Sequence, residues 1–411
     1  MRAAAGVAIG IALLALSGCS DTAPPNRVHG TRLTIYASVP LEGASADSAE
    51  AVLNGAGIAL DQIADRIGRY HIVFRTLDDA TIKAHGWDPG QTEANARIAA
   101  ADRGTVGYIG DFDSGASAIS IPLLNRAQIA QVSPSSTAVG LTTDAAGASP
   151  GEPLKYYPTG SRTYARVVPD DTVQANVQVS LQQDYGCSRT YVIDDGEVDG
   201  TETATSFEAA AQRAGLVIAG TSAFVRHATD YTAFAAGVAA AAPDCVFISA
   251  LTESGAPLVA AQLGAALPHA RFFCSASLGE SAFADPALGG IPLSLDRRVL
   301  VTMPALGPAD YPPAGRAFLR LYSAQFGAPE PSAIFGYEAM SLLLQAISRA
   351  SHAGRRPVLR SRVVAALMST RDHQGAIGSY SIDRDGDTTI RRYGVWRVVG
   401  GHLTFWRALE G

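Results

Sequence analysis

VGYIGDFDSGASAISIPLLNRAQIAQVSPSSTAVGLT, residues Val106–Thr142, decides how this chain is read. It holds two short apolar strand candidates, Val106–Ile109 and Ile129–Val132. Each runs straight into glycine and small hydroxyl residues, the first at Asp113-Ser114-Gly115 and the second at Ser133-Pro134-Ser135-Ser136-Thr137. In an open α/β sheet, successive strand ends open into one crevice, where helix N-termini turn free amides and a positive dipole toward a ligand. Hydroxyls and bare backbone at that place suit a small anion such as a carboxylate. Taken singly, each loop also reads as an ordinary βα turn with a Ser/Thr helix cap. Two in one register point to a site.

The alternation extends outward from this stretch. Upstream lie strand Leu33–Val39, helix Ala49–Ile67, strand His71–Leu77 and helix Thr92–Arg103, and helix Ala116–Asn125 joins the two quoted strands. A second round runs through strand Thr190–Ile193, helix Thr201–Ala214, strand Leu216–Ser222, helix Tyr231–Ala241, strand Cys245–Ser249, helix Gly255–Leu263 and strand Arg271–Cys274. Strand–helix alternation of this kind predicts parallel sheets covered by helices on both faces, here two doubly wound α/β units in series. Between the rounds, Thr143–Asp171 is polar and rich in turn residues and reads as a connector. A second Pro/Gly-rich break, Pro304–Pro313, follows strand Val299–Met303, and helices Ala314–Phe326, Ile334–Ala350 and Leu359–Thr370 come after it.

The N-terminus speaks separately. Arg2 precedes a short apolar run, Val7–Leu16, and Leu16-Ser17-Gly18-Cys19 has the pattern cut by lipoprotein signal peptidase. A run this short is a signal h-region rather than a membrane span. The expectation is a signal peptide over 1–18, lipidation at Cys19 and a flexible tether over 19–31, which exports the chain and anchors it at the outer face of the cytoplasmic membrane. An ordinary secretory signal with an incidental cysteine is the alternative.

Composition narrows the function classes. With 411 residues, 47% hydrophobic and 17% charged, the chain can bury a large core, and neither disorder nor a multi-span membrane protein fits. A net charge of −6, with only Lys83 and Lys155 as lysines and the arginines scattered, argues against nucleic acid. Three cysteines remain after Cys19. Cys187 and Cys245 precede strands that are neighbours in a doubly wound sheet, so a bridge between them is geometrically reasonable, with Cys274 free at the opposite edge.

Catalytic and cofactor motifs are weak throughout. Neither lysine follows a Gly-rich phosphate loop, and Gly55-Ala56-Gly57 reads as mid-helix with Leu60 where a dinucleotide fingerprint needs glycine. The segments around Ser45 and Ser222 lack the last glycine of a hydrolase elbow. The eight histidines are dispersed, without zinc-ligand spacing. Asp383-Arg384-Asp385-Gly386-Asp387 has its glycine misplaced for a calcium loop and reads as a hairpin turn between Tyr380–Ile382 and Ile390–Val399. Asp194-Asp195 reads as a strand-end turn capping helix Thr201–Ala214. No catalytic residue, metal site or cofactor is expected.

Tyr108-Ile109-Gly110, Ser114-Gly115-Ala116-Ser117, Ser133–Thr137 and Leu141-Thr142, with Asp194-Asp195 and Gly200, and Gly336-Tyr337-Glu338-Ala339 opening a late helix, resemble the type 1 periplasmic binding proteins. The nearest in character are the leucine/isoleucine/valine-binding components of bacterial ABC importers. The resemblance spans most of Leu33–Trp406. It implies two Rossmann-like lobes joined by a multi-strand hinge, with residues 32–158 and 305–378 in lobe 1, and 159–304 and 379–411 in lobe 2. It also implies capture of a small polar ligand by lobe closure and delivery to permease and ATPase subunits, with a sensor reporting to a membrane receptor as the alternative.

Carried over residue by residue, the family's carboxylate clamp falls on Ser114, Ser135 and Thr137, with Gly115 and Ser136 beside them. The opposing wall falls on Asp199, Leu251, Thr252 and Ser277. Where relatives hold an ammonium with an acidic residue, this chain has Cys274–Leu278 without a carboxylate, and where they place aromatic residues it has Asp199 and Leu251-Thr252. Asp199 or Glu253 is left to meet an ammonium. Equally, the ligand carries a carboxylate and no amine.

Overall fold

The structure is a computed structural model that describes residues 26–28 and 30–411. The expected signal peptide, Cys19 and the tether as far as residue 25 lie outside the described residues. Asn26–Val28, expected to belong to that tether, is docked: Val28 N–H donates to the Val358 carbonyl at 3.2 Å, and Arg360 N–H to the Asn26 carbonyl at 2.8 Å.

The first sheet is built from β1 (Arg32–Val39), β2 (Tyr70–Asp78), β3 (Thr105–Ile109), β4 (Ala130–Ser133) and β5 (Tyr164–Arg166). These run parallel in the order β2-β1-β3-β4-β5, with the two-residue strand Arg66–Ile67 antiparallel on the outer edge. The second contains β6 (Arg189–Asp194), β7 (Val217–Ala223), β8 (Cys245–Ser249), β9 (Arg271–Cys274) and β10 (Val299–Met303), parallel in the order β7-β6-β8-β9-β10. An antiparallel pair, β11 (Arg392–Val399) and β12 (His402–Glu410), extends it beyond β10. Every residue of β3, β8 and β10 is buried, as expected of parallel strands with helices on both faces.

In the first lobe the helices are α1 (Ala46–Asp61), α2 (Pro89–Ala101) and α3 (Ser114–Arg126). In the second they are α4 (Asp171–Asp184), α5 (Val198–Ala214), α6 (Thr232–Ala240), α7 (Ala256–Ala266) and the one-turn α8 (Ser281–Ala284). The chain then returns to the first lobe with α9 (Pro313–Phe326), α10 (Ala333–Ala350) and α11 (Arg360–Met368). Small residues let α1 and α10 approach closely: a Cβ on Gly55 would lie 2.1 Å from the Ala333 carbonyl oxygen, and one on Gly336 would lie 2.0 Å from that of Val52. Among the described residues, no helix is long and apolar enough to cross a membrane.

Two segments differ from expectation. Tyr164–Arg166, inside the expected connector, pairs with β4, so the first lobe runs past residue 158; turn-rich flanks conceal a three-residue strand whose partner is remote in sequence. The turn expected around Asp383–Asp387 forms, closed by an antiparallel bridge between Ile382 and Thr388, but Tyr380 does not pair with the last strands. Ser379–Tyr380 pairs with His373–Gln374, and β11 pairs with β10 and β12. Within the turn, Asp383 Oδ1 accepts the N–H groups of Asp385, Gly386 and Asp387 at 2.8–2.9 Å.

The chain passes between lobes after β5, after β10 and before β11. Arg166, fully buried at the end of β5, fastens the first passage to the third. Its Nε donates to Asp387 Oδ1 at 2.6 Å, its amino nitrogens to the Ala138 carbonyl at 2.7 Å and Thr142 Oγ1 at 2.6 Å, and its backbone N–H to the Gly386 carbonyl at 3.0 Å. In the second lobe Cys187 and Cys245 form a disulfide with Cα atoms 5.8 Å apart at the start of adjacent strands, and Cys274 is buried and free.

Candidate ligand-binding cleft

Both sheets share one strand order, and in each the direction of winding reverses beside the first strand, between β1 and β3 and between β6 and β8. Ligands of open α/β sheets bind outside the carboxyl ends of the strands at this reversal. Here the two crevices face each other across a cavity of about 90 Å³. The first lobe contributes Ser45 before α1, Asp113 and Ser114 at the start of α3, and Ser135 after β4. From the second lobe come Asp199 in the first turn of α5, Leu251 after β8, and Ser277 and Glu280 after β9.

Of the residues expected in the site, Ser114, Ser135, Asp199, Leu251 and Ser277 line this cavity. Gly115, Ser136, Thr137 and Thr252 do not. Gly115 lies beneath the Trp87 ring, where a Cβ would come within 2.6 Å of Cζ2. Ser136 is turned inward, its Oγ 2.9 Å from Ser117 Oγ and 3.1 Å from the Asp111 carbonyl oxygen. Thr252 is buried outside the lining, and Thr137 reaches the site only through Asp199. In a run of adjacent hydroxyl residues, the local turn decides which side chains face the cleft, and composition does not show it.

Asp199 sits differently from expectation. α5 begins at Val198 rather than at Thr201, and this brings the Asp199 side chain into the middle of the cleft, 6% exposed. Its Oδ1 accepts from Ser114 Oγ at 3.2 Å and Thr137 Oγ1 at 3.3 Å, and its Oδ2 accepts from Ser277 Oγ. The hydroxyls expected to clamp a ligand carboxylate therefore clamp a carboxylate of the protein, and this bond set ties the lobes together. Asp195 does not cap the helix as expected. It accepts from Glu197 N–H at 3.0 Å, Leu251 N–H at 2.8 Å and Ser254 Oγ at 2.7 Å, joining the loops after β6 and β8.

Ser45, Asp113 and Glu280 were not among the residues expected in the site. Ser45 Oγ lies 3.2 Å from Glu253 Oε2 and 3.1 Å from Glu280 Oε1, a second contact between lobes. Asp113 stands at the N-cap position of α3, yet its side chain makes no capping bond. An aspartate just ahead of a helix looks like a cap, and that ordinary reading conceals it.

Acidic groups crowd the cleft. Burial raises Asp113 well above the usual carboxylate range, and the charges of Glu253, Asp79, Asp199 and Glu280 push the same way. Burial, followed by the charge of Glu253, raises Glu280 to about 8. Burial raises Glu253 to about 7. Asp199 is raised by burial against the opposing pull of its three hydroxyl donors. Among the described residues, no lysine, arginine or histidine lines the cavity.

The chain matches a family model described as periplasmic binding protein over residues 33–402. Its fold is similar to that of a leucine-binding protein, LivK, from Thermotoga maritima, at a TM-score of 0.78 and 20% identity, covering 92% of this chain and 99% of that one. It is likewise similar to the branched-chain amino acid transporter substrate-binding protein LivJ from Streptococcus pneumoniae in complex with isoleucine, at a TM-score of 0.75 and 16% identity, covering 92% and 100%. An ABC transporter solute-binding protein from R. palustris in complex with benzoate aligns at a TM-score of 0.73 and 15% identity, covering 92% and 96%. No curated protein sequence matches the chain. The family match over nearly all of the described chain, together with two doubly wound lobes facing one cleft, means that this protein belongs to the periplasmic binding protein family, whose members bind solutes rather than transform them.

Proposed function

We propose that this chain is the solute-capturing component of an ABC importer, closing its lobes over a small polar metabolite and presenting it to a membrane permease. The supporting observation is the shared wall of the cavity, in which Asp199 of one lobe is held by Ser114 and Thr137 of the other. A site completed only by closure couples ligand to conformation, and that conformation is what a permease reads. The R. palustris neighbour is likewise an ABC transporter solute-binding protein and the S. pneumoniae neighbour a transporter substrate-binding protein.

Export and lipid anchoring through Cys19 complete the reading. They rest on Leu16-Ser17-Gly18-Cys19, and mass spectrometry of the native N-terminus tests them. An unmodified terminus cut elsewhere removes the anchor from the proposal.

A ligand carboxylate at Ser114 and Thr137, as first expected from the loops, has to displace Asp199. Screening purified chain against amino acids, amides, amines and organic acids by thermal shift tests the binding role. Ligand at about a hundred times its dissociation constant adds about 2.7 kcal/mol of stability. Calorimetry on the hits then shows one site without turnover. Unaltered affinity in a Ser114→Ala/Thr137→Ala double variant excludes a ligand carboxylate clamped by these two hydroxyls.

A further inference from the structure

The serine hydroxyls around the cleft have already given their protons to other groups of the protein. A serine hydroxyl has one proton to give and two lone pairs to offer. Ser114 and Ser277 give theirs to Asp199, and Ser45 gives its proton to the Glu253–Glu280 pair. Ser135 donates to the Phe112 carbonyl at 2.5 Å, and Ser332 to the Ser48 carbonyl at 2.7 Å. What these side chains turn to a ligand is lone pairs.

Asp113 carries the argument further. It lines the cavity at 6% exposure, and its buried Oδ2 has no hydrogen-bond partner. A buried carboxylate oxygen without a donor is costly and calls for a cation or an N–H group. The positive ends of α3 and α5, which elsewhere favour anions, are here met by Asp113 and Asp199. Among the described residues, no group of three or more His, Cys, Asp or Glu side chains is arranged to hold a metal ion. A cavity of about 90 Å³ has room for roughly six to nine water-sized groups.

We infer that the cleft takes a small primary ammonium, a ligand that brings N–H donors and positive charge and carries no carboxylate. This deepens the solute-binding reading and rests on it. Asp113 receives the ammonium, whose positive charge favours the ionised forms of Glu280 and Asp199 around it, and Leu251, Val168 and Phe335 cover the short apolar remainder.

Calorimetry with the full chain tests this against methylammonium, butylammonium and ethanolamine, with tetramethylammonium, acetamide, butyrate and leucine as counterparts. The primary ammonium compounds are expected to bind at one site. Tetramethylammonium, charged but without N–H, is expected to bind about tenfold or more weakly, and butyrate not at all. Asp113→Asn is expected to cut ammonium affinity about tenfold or more, as loss of a charge-assisted bond does, without lowering the melting temperature of the ligand-free protein. Glu280→Gln serves as a second variant, with an affinity loss in the same direction. Preferential binding of butyrate or leucine, or of tetramethylammonium over butylammonium, overturns the inference and leaves the solute-binding role standing. Failure of these and of every compound in the wider screen overturns both.

Discussion

Replacing Glu280 with glutamine should stabilise the ligand-free protein at neutral pH, against the usual effect of altering a buried residue. Glu280 is 5% exposed, and its carboxyl is raised from 4.5 to about 8 by burial first and then by the charge of Glu253. A carboxyl raised on folding contributes stability that is fully present below its ordinary range and is lost as the pH climbs toward the folded value. Each pH unit inside that window costs about 1.4 kcal/mol, so the wild type gives up about 3 kcal/mol between pH 4.5 and 7 through this group. Ser45 has one proton for two carboxylates, so the titration belongs to the Glu253–Glu280 pair, and removing one charge relieves the other. Glutamine keeps the acceptor for Ser45 and cannot ionise. Urea unfolding across the window from about pH 4.5 to 8 should give wild-type and variant curves that meet at the acid end. They should separate by about 4 kcal/mol at the alkaline end, the variant being the more stable. X-ray scattering should show the wild-type lobes parting as pH rises and those of the variant staying closed. A flat wild-type profile, or a variant less stable than wild type near pH 8, refutes the charge-crowding argument.

Arg166→Met should cost about 3–5 kcal/mol in urea unfolding, because Asp387 is left as a buried charge without its partner; adding Asp387→Leu should recover much of that loss. Loss of the Cys187–Cys245 bridge in a double alanine variant should lower stability by about 4 kcal/mol, the chain-entropy value for a separation of 58 residues, as read from the denaturation midpoint under oxidising conditions. Gly336→Ala should destabilise by about 1–3 kcal/mol by forcing α10 away from Val52, whereas alanine at Gly57, which has open space around it, should change the melting temperature little.

How much of this was legible in the sequence follows from how far apart the determining residues lie. Apolar runs such as Val106–Ile109 ending in glycine and hydroxyls mark buried strands that open into helices, because side-chain periodicity and turn chemistry act within a few residues. Alternation alone therefore indicated two doubly wound units. The resemblance carried by Ser114–Ser117 and Ser133–Thr137 pointed to the family. The strand Tyr164–Arg166 stayed hidden because three residues among turns have no period, and only the edge of β4 makes them a strand.

For the site, sequence determined which loops meet and tertiary structure decided what they present. Ser114 and Thr137 have the right chemistry to clamp an anion, and nothing local reveals that Asp199, 62 residues beyond Thr137, arrives to occupy them. Asp113 looks like a helix cap until the fold encloses it beside Asp199, Glu253 and Glu280 without a donor. Charge is written in the sequence, but its energy depends on which charges share a volume from which water is excluded, and only the closed fold sets that distance.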